Sequence, residues 1–415
     1  MTLDEVRSQF RDATPAELQL IARYGELPQD GRRERAFAAF AGSGLPHRRL
    51  EQWKWSDFRN ALGVLEANDG THRRALEEPA DALVFRFDGN GWTVPSAMPD
   101  GLRVFEKSEA QALGNAEVLP MAALAAALTG KPGKSDILFV EVSSSPGKPV
   151  YLDFDLNKRE MAFARIAFVV RSGAHLDVVE YHPGGAALSS VVLEYGLQKD
   201  ASASRTLLQS GQSNEATAIT AAVSLEARAR FSQTALAFGA KVARIETRIS
   251  YNGPKAEASL SAAYLPAAGF HVDFTSHVWH GAESCKTRQV TKGAVPDGAR
   301  GVFQGKFHVP RTVGQHTDAD MQHQALLLDN GAEVFAKPEL EIYADDVECA
   351  HGNTSGQLDE SALFYMRQRG IPERDARALL TEAFIAEALE TAFEPVKEGM
   401  LQATRDFLRD EGEAA

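Results

Sequence analysis

The side chains with the greatest capacity for chemistry crowd into one stretch of the chain. Seven of the eleven histidines (His271, His277, His280, His308, His316, His323 and His351) fall between positions 271 and 351, and both cysteines, Cys285 and Cys349, lie there too. The tightest pairing is Cys349-Ala350-His351. Residues two apart on a strand project to the same face, so a thiolate and an imidazole can serve one acceptor. That donor set suits iron, zinc or copper, and iron–sulfur clusters take cysteine. A buried cysteine beside a hydrogen-bonded histidine has the same spacing, and spacing alone does not choose. His280 and His308 are separated by the same interval as His323 and His351. If the chain coils with that period, each pair is predicted to stack on adjacent rungs. Cys285 reads as a small buried hydrophobe.

Other chemistries find little support. Gly133-Lys134-Ser135 resembles the end of a P-loop, but Leu128 stands where the first glycine belongs, and the triplet leads into a strand, Ile137 to Val142, instead of a helix. No nucleophile elbow, H-E-x-x-H pair or dinucleotide fingerprint is present. Asp345-Asp346 is open to a paired-carboxylate reading, as in solenoid enzymes acting on polysaccharides, or to a turn and capping role; adjacent strand residues face opposite ways. With 57 acidic against 44 basic residues, the net charge of −13 argues against a phosphate-binding face, and no nucleic-acid partner is expected. Two cysteines without a C-x-x-C step cannot build a disulfide framework. Met1 to Phe10 lacks the apolar core of a signal peptide, and no apolar run has membrane-spanning length. A cytoplasmic protein with no membrane partner is the expectation.

Four regions follow from the patterning. Residues 1–65 read as helical, with Leu18, Leu20, Ile21 and Tyr24 at near-helical spacing behind Pro15. Trp53, Trp55 and Phe58 follow, and with their basic neighbours they fit either base stacking or a packed helix-loop surface. Residues 66–135 form a mixed connecting region with an alanine-rich helix over Met121 to Leu128. Residues 136–358 hold many short alternating runs and no helix. Similar segments begin at Ala174, Ala201, Ala227, Ala256 and Ala282, at nearly even intervals. Such a period predicts stacked coils that bury small residues inside: a mainly β chain with a parallel β-helix (β-solenoid) core flanked by helical ends. A two-sheet sandwich also gives short strands but requires no even spacing. Residues 359–415 turn helical again, and Ala376, Leu379, Leu380, Ala383, Phe384 and Ala386 form a broad apolar face.

One long block is specific. Lys337-Pro338-Glu339-Leu340-Glu341-Ile342-Tyr343-Ala344-Asp345-Asp346-Val347-Glu348-Cys349-Ala350-His351-Gly352, with Gly356-Gln357-Leu358-Asp359-Glu360 and Leu363 to Ile371, closely resembles the signature of the SufB/SufD family. Leu45-Pro46 with Trp53-Lys54, and Gly301-Val302-Phe303-Gln304-Gly305, support it. The chain looks more like the SufD branch, because SufB chains are usually longer, richer in cysteine and carry another residue in place of Cys349. Asn353 and Ser355 depart from the family pattern, which commonly has alanine and a β-branched residue there.

The resemblance implies a right-handed parallel β-helix between helical ends, and a non-catalytic scaffold subunit of the SUF iron–sulfur cluster assembly complex. It implies pairing with a SufB paralogue through the core, and docking of a SufC ABC-type ATPase on the C-terminal helices, for which Leu379, Leu380, Ala383 and Phe384 are the candidates. His351 and Cys349 map onto the cluster or iron site shared with the partner. A transient iron–sulfur cluster, a contribution to iron acquisition, a reduced flavin in the complex and a homodimer when alone are further expectations. Two donors are too few for a cluster that takes about four, so a partner must supply the rest. A carbohydrate-active or purely structural β-solenoid is the alternative.

Overall fold

The computed structural model describes residues 10, 12–67, 76–107, 119–130, 137–211 and 214–414. The Gly133-Lys134-Ser135 triplet and the junction at 135/136 lie outside them. Two sheets dominate. Sheet I has ten strands in the order β2 (Trp92–Thr93), β1 (Leu83–Phe87), β5 (Val150–Phe154), β7 (His175–His182), β9 (Ser202–Gln209), β11 (Arg230–Ala237), β13 (Glu257–Tyr264), β15 (Lys286–Val295), β17 (Asp318–Leu327) and β19 (Glu348–Gly356). Sheet II has nine: β3 (Leu102–Lys107), β4 (Ile137–Val142), β6 (Arg159–Val170), β8 (Ala186–Leu197), β10 (Ala216–Leu225), β12 (Val242–Tyr251), β14 (His271–Trp279), β16 (Arg300–Val309) and β18 (Glu333–Ile342). From β4 onward every coil gives one strand to each sheet and pairs in parallel with the coils before and after it, so eight coils stack into a β-solenoid. The two sheets begin within the 66–135 region, where β1 pairs in parallel with β5 and β3 antiparallel with β4.

The corner between the sheets explains the sequence period. Gly173, Asp200, Arg228, Lys255, Ser284 and His316 all take left-handed backbone with φ between 57° and 75°. Each N–H donates to a carbonyl of the next corner, the last bond running from His316 to Asp346. Left-handed backbone turns the chain sharply, at a cost for residues other than glycine that this ladder offsets. The residue after each corner is small and buried: Ala174, Ala201, Ala229, Ala256, Cys285 and Thr317. The recurrence read from sequence is therefore correct at Ala174, Ala201 and Ala256. Ala227 and Ala282 are not in this column; Ala229 and Cys285 occupy their places, because coil length varies and simple alanine spacing cannot track it. The variation is visible in the register, where Ala216 pairs with Val242 in a short coil and Arg300 with Glu333 in a long one.

Helices cover the outer faces. On sheet II lie α1 (Pro15–Glu26), α2 (Gly31–Ala41), the short α3 (Phe58–Ala61) and α4 (Pro120–Leu128). Thr14 and Glu17 close a capping box at α1, and Asp30 caps α2. Leu20, Ile21, Tyr24, Phe37 and Phe40 pack with α4 over Phe163, Leu188 and Ala218 of the sheet. On sheet I, α6 (Glu373–Leu389) and α7 (Glu394–Ala414) press Ile385, Leu389, Met400 and Phe407 onto Val179, Leu208, Leu236 and Ala263. The short α5 (Glu360–Gln368), capped by Asp359, joins them to the last strand. Among the described residues no helix is long and apolar enough to cross a membrane. Asp345-Asp346 forms the bend before β19, where Asp346 pairs with His316 at 2.8 Å; that is the turn role.

The solenoid interior is not uniformly apolar. Arg205 Nε and Nη2 donate to the Glu180 carboxylate at 2.6 and 2.8 Å, Nη1 reaches Gln233 at 2.8 Å, and all three residues are buried. Burial pushes the Glu180 carboxyl up, but Arg205 and His182 outweigh it and hold it at about 2. Removing one partner of such a pair strands a buried charge. Glu180→Gln should therefore cost about 3–5 kcal/mol in urea unfolding. Because the folded carboxyl titrates below its ordinary value of 4.5, its stabilisation is complete above that value and lost as pH falls toward 2. Wild type should show this acid-side loss, and the glutamine variant should lack that component.

Candidate metal centre

The terminal coil carries the sequence motif. β19 pairs with β17 so that Ala319 faces Cys349, Met321 faces His351 and His323 faces Asn353. Ala319, Met321 and His323 alternate into the solenoid interior and are buried. Their partners Cys349, His351 and Asn353 therefore occupy the same inward face one coil higher. Among the described residues no further coil covers them: β18 and β19 each end their sheet. Cys349 is half-buried against the main core, and His351 is exposed. The other half of this open end comes from β18, where Val334, Ala336 and Leu340 pack down onto the core but remain partly uncovered.

Cys349 and His351 thus share one face, about 6.6 Å apart along the strand. Burial, the largest influence, raises the Cys349 thiol above its ordinary range, with the Ala319 backbone opposing it and Asp318 adding to it. A metal that binds this sulfur must displace its proton. Among the described residues no group of three or more His, Cys, Asp or Glu side chains converges as a metal site. Among the described residues two donors stand at this open edge, fewer than the four or so that a cluster takes.

The histidine pairings expected from the spacing do not form. His280 and His308 do not stack: β14 and β16 pair Trp279 with His308, whose rings stack at 4.2 Å. His323 faces Asn353 instead of His351. Both expected pairings fail because the true register is longer than the interval between the histidines. The first pair misses by a single position, which on a strand reverses the face. The second misses by two, which keeps the face but sets His351 opposite Met321. His271, His277 and His280 are each pushed down to about 4, chiefly by burial. Cys285 is fully buried, with its thiol raised to about 11 by burial.

The segment Leu45 to Phe58 is a docking strap. Trp53 is buried with the Arg244 guanidinium 4.0 Å from its ring centre, Phe58 is buried beneath it, and Trp55 stacks on Phe335 of β18. Ser56 donates to Asp273 at 2.5 Å and meets His271 Nε2 at 3.0 Å, while Arg244 bridges Glu246 and Asp273. Sequence reading singled out neither Ser56 nor Asp273; only the docking of the strap across sheet II brings them together. The apolar face assigned to α6 divides. Leu380 and Phe384 are half-buried against neighbouring side chains, Phe384 beneath Lys292 at 4.4 Å. Leu379 and Ala383 are exposed, as are Phe364 and Tyr365 on α5.

The thiol states give a direct check. Iodoacetamide should label Cys349 in the native chain, faster as pH rises past the ordinary thiol value of 9.0. Cys285 should stay unlabelled until the chain unfolds; peptide mass spectrometry reads both sites.

Among known proteins, the family model described as "SUF system FeS cluster assembly, SufBD core domain" matches residues 154–384. The Escherichia coli iron–sulfur cluster assembly protein SufD is 38% identical over 155 residues, which is 37% of this chain and 36% of that protein. A SufBD family protein of Synechocystis is 43% identical over 111 residues, covering 27% and 23%. The chloroplastic protein ABCI7 of Arabidopsis thaliana is 28% identical over 267 residues, covering 61% and 56%. These matches thus span between about a quarter and just over half of the relatives' own length.

Proposed function

Since the chain belongs to the SufB/SufD family of iron–sulfur cluster assembly proteins, its core matched over 154–384, we propose that it is the SufD-type scaffold of a SUF assembly complex. The observation that carries this reading is the uncapped terminal coil. Two strands with free edges, a partly exposed apolar strip and a two-donor Cys349–His351 face make a surface that is incomplete alone. Exposed strand edges pair readily with another chain, and solenoid ends require a cap. A SufB-type paralogue that continues the sheets caps this end and supplies the missing cluster ligands. Partial ligation by two subunits suits a cargo that must later be released. His351 is the better donor of the pair, because it is exposed whereas Cys349 is half-buried.

The second contact is the ATPase. Leu379 and Ala383 on α6, with Phe364 and Tyr365 on α5, present exposed apolar groups next to helices fixed on sheet I. This is the natural seat for a SufC-type subunit, and nucleotide-driven movement of the helices would reach β19 through α5. Leu380 and Phe384 serve that seat indirectly, by holding α6 to the solenoid.

Two substitutions test the reading. His351→Ala should leave the fold and complex assembly intact while cutting cluster formation at least tenfold, followed by anaerobic reconstitution and absorbance; wild-type yield would remove the proposed role. Leu379→Glu should reduce co-purification of the ATPase several-fold without changing the melting temperature. Unchanged recovery would place the docking surface elsewhere.

A further inference from the structure

An axial line of side chains connects β13 to the open end. Tyr264 closes β13 with its ring pointing inward, fully buried. The ring climbs through a shaft that only glycine leaves open. A Cβ on Gly293, the next residue above it in the sheet, would stand 2.0 Å from Tyr264 Cζ, and one on Gly301 of sheet II would stand 2.2 Å from its ring. The hydroxyl thus reaches past β15 to His323 Nε2 on β17, at 2.8 Å. His323 is buried, lies parallel to Phe303 with centroids 4.8 Å apart, and places Nδ1 2.7 Å from Asn353 Oδ1 on β19. Three ladder steps, about 14 Å of solenoid, are bridged by two hydrogen bonds.

The bonding order fixes the proton. With the Tyr264 hydroxyl donating to Nε2, His323 carries its hydrogen on Nδ1 and donates to Asn353. Burial holds the ring neutral by lowering its proton affinity, while Asn353 opposes this. Asn353 is the inward residue two beyond His351 on the same strand, and among the described residues β19 has a backbone partner on one side only. Side-chain anchorage from beneath therefore supplies what a ninth coil would otherwise provide.

We propose that Tyr264, His323 and Asn353 form a tie rod that positions β19, and with it His351, before any partner arrives. They are positioning residues and touch no cargo themselves. This assignment deepens the scaffold reading and rests on it for the role of His351. It also gives Asn353, which departs from the family's usual alanine, a defined task in this chain.

The test uses the full chain and two near-isosteric changes. Asn353→Leu keeps the γ-branched shape but accepts no hydrogen bond; Asn353→Asp keeps the acceptor. Nitrogen-15 NMR of the imidazoles should show a slowly exchanging Nδ1 proton on His323 in wild type and in N353D, and rapid exchange in N353L. Cobalt(II) added anaerobically should give visible absorption bands from Cys349–His351 ligation. We expect N353L to weaken that binding about tenfold, and N353D to stay within twofold of wild type. Equal cobalt affinity in all three proteins, or an unprotected Nδ1 proton in wild type, overturns the tie rod. A wild-type chain that binds no cobalt contradicts the two-donor site instead. The Nδ1 proton then decides the rod alone: protection lost only in N353L supports it, and identical exchange in all three overturns it.

Discussion

Everything in this molecule hangs on the corner that each coil turns between its two sheets. A left-handed residue, a carbonyl of the next coil to receive its N–H, and a small buried side chain immediately after it recur from Gly173-Ala174 to His316-Thr317. Once that corner is fixed, strand phase is fixed, because side chains alternate strictly along a strand. Phase then decides which residues enter the interior. Shifting the final corner by one residue would turn Cys349 and His351 outward and bring their neighbours in. The last bond of the ladder, His316 to Asp346, sits only three residues before Cys349, so the fold's organising contact also aims the site.

The second consequence is an end that does not close. Helices shield both sheet faces but not the final coil, where inward positions remain half-buried or exposed. Such an edge would be an aggregation hazard in isolation. Here the strap crosses to Phe335 and Lys337 on the outside of β18, and the Tyr264–His323–Asn353 line holds β19 from within. A braced but uncovered coil with a thiol and an imidazole suits a half-site completed by another subunit.

How far the sequence led depends on which physical signal was periodic. The solenoid, its helical ends and the family were readable from recurrence and from the block around Cys349, and the Cys-x-His step does lie on one strand face. The alanine column was caught in part, since Cys285 replaces alanine at one corner and coil lengths shift the count. The histidine pairings failed for the same reason: their spacing is close to the true register, yet pairing across strands demands the register itself. The Ser56–Asp273–Arg244 cluster and the Tyr264–His323 bond join residues 217 and 59 apart in sequence, and no local pattern announces them. On α6, helical spacing marked an apolar face but could not say which half of it the solenoid would cover.

The most direct test of the account is hydrogen exchange on β18 and β19, measured for the chain alone and after anaerobic mixing with the SufB-type paralogue and the ATPase of its own organism. Capping of the open end predicts that the amides of both strands become strongly protected in the complex while those of β5 and β7 stay unchanged. Formation of a stable complex with no added protection in β18 or β19 would contradict it, and would place the partner, and the completed cluster site, on another face.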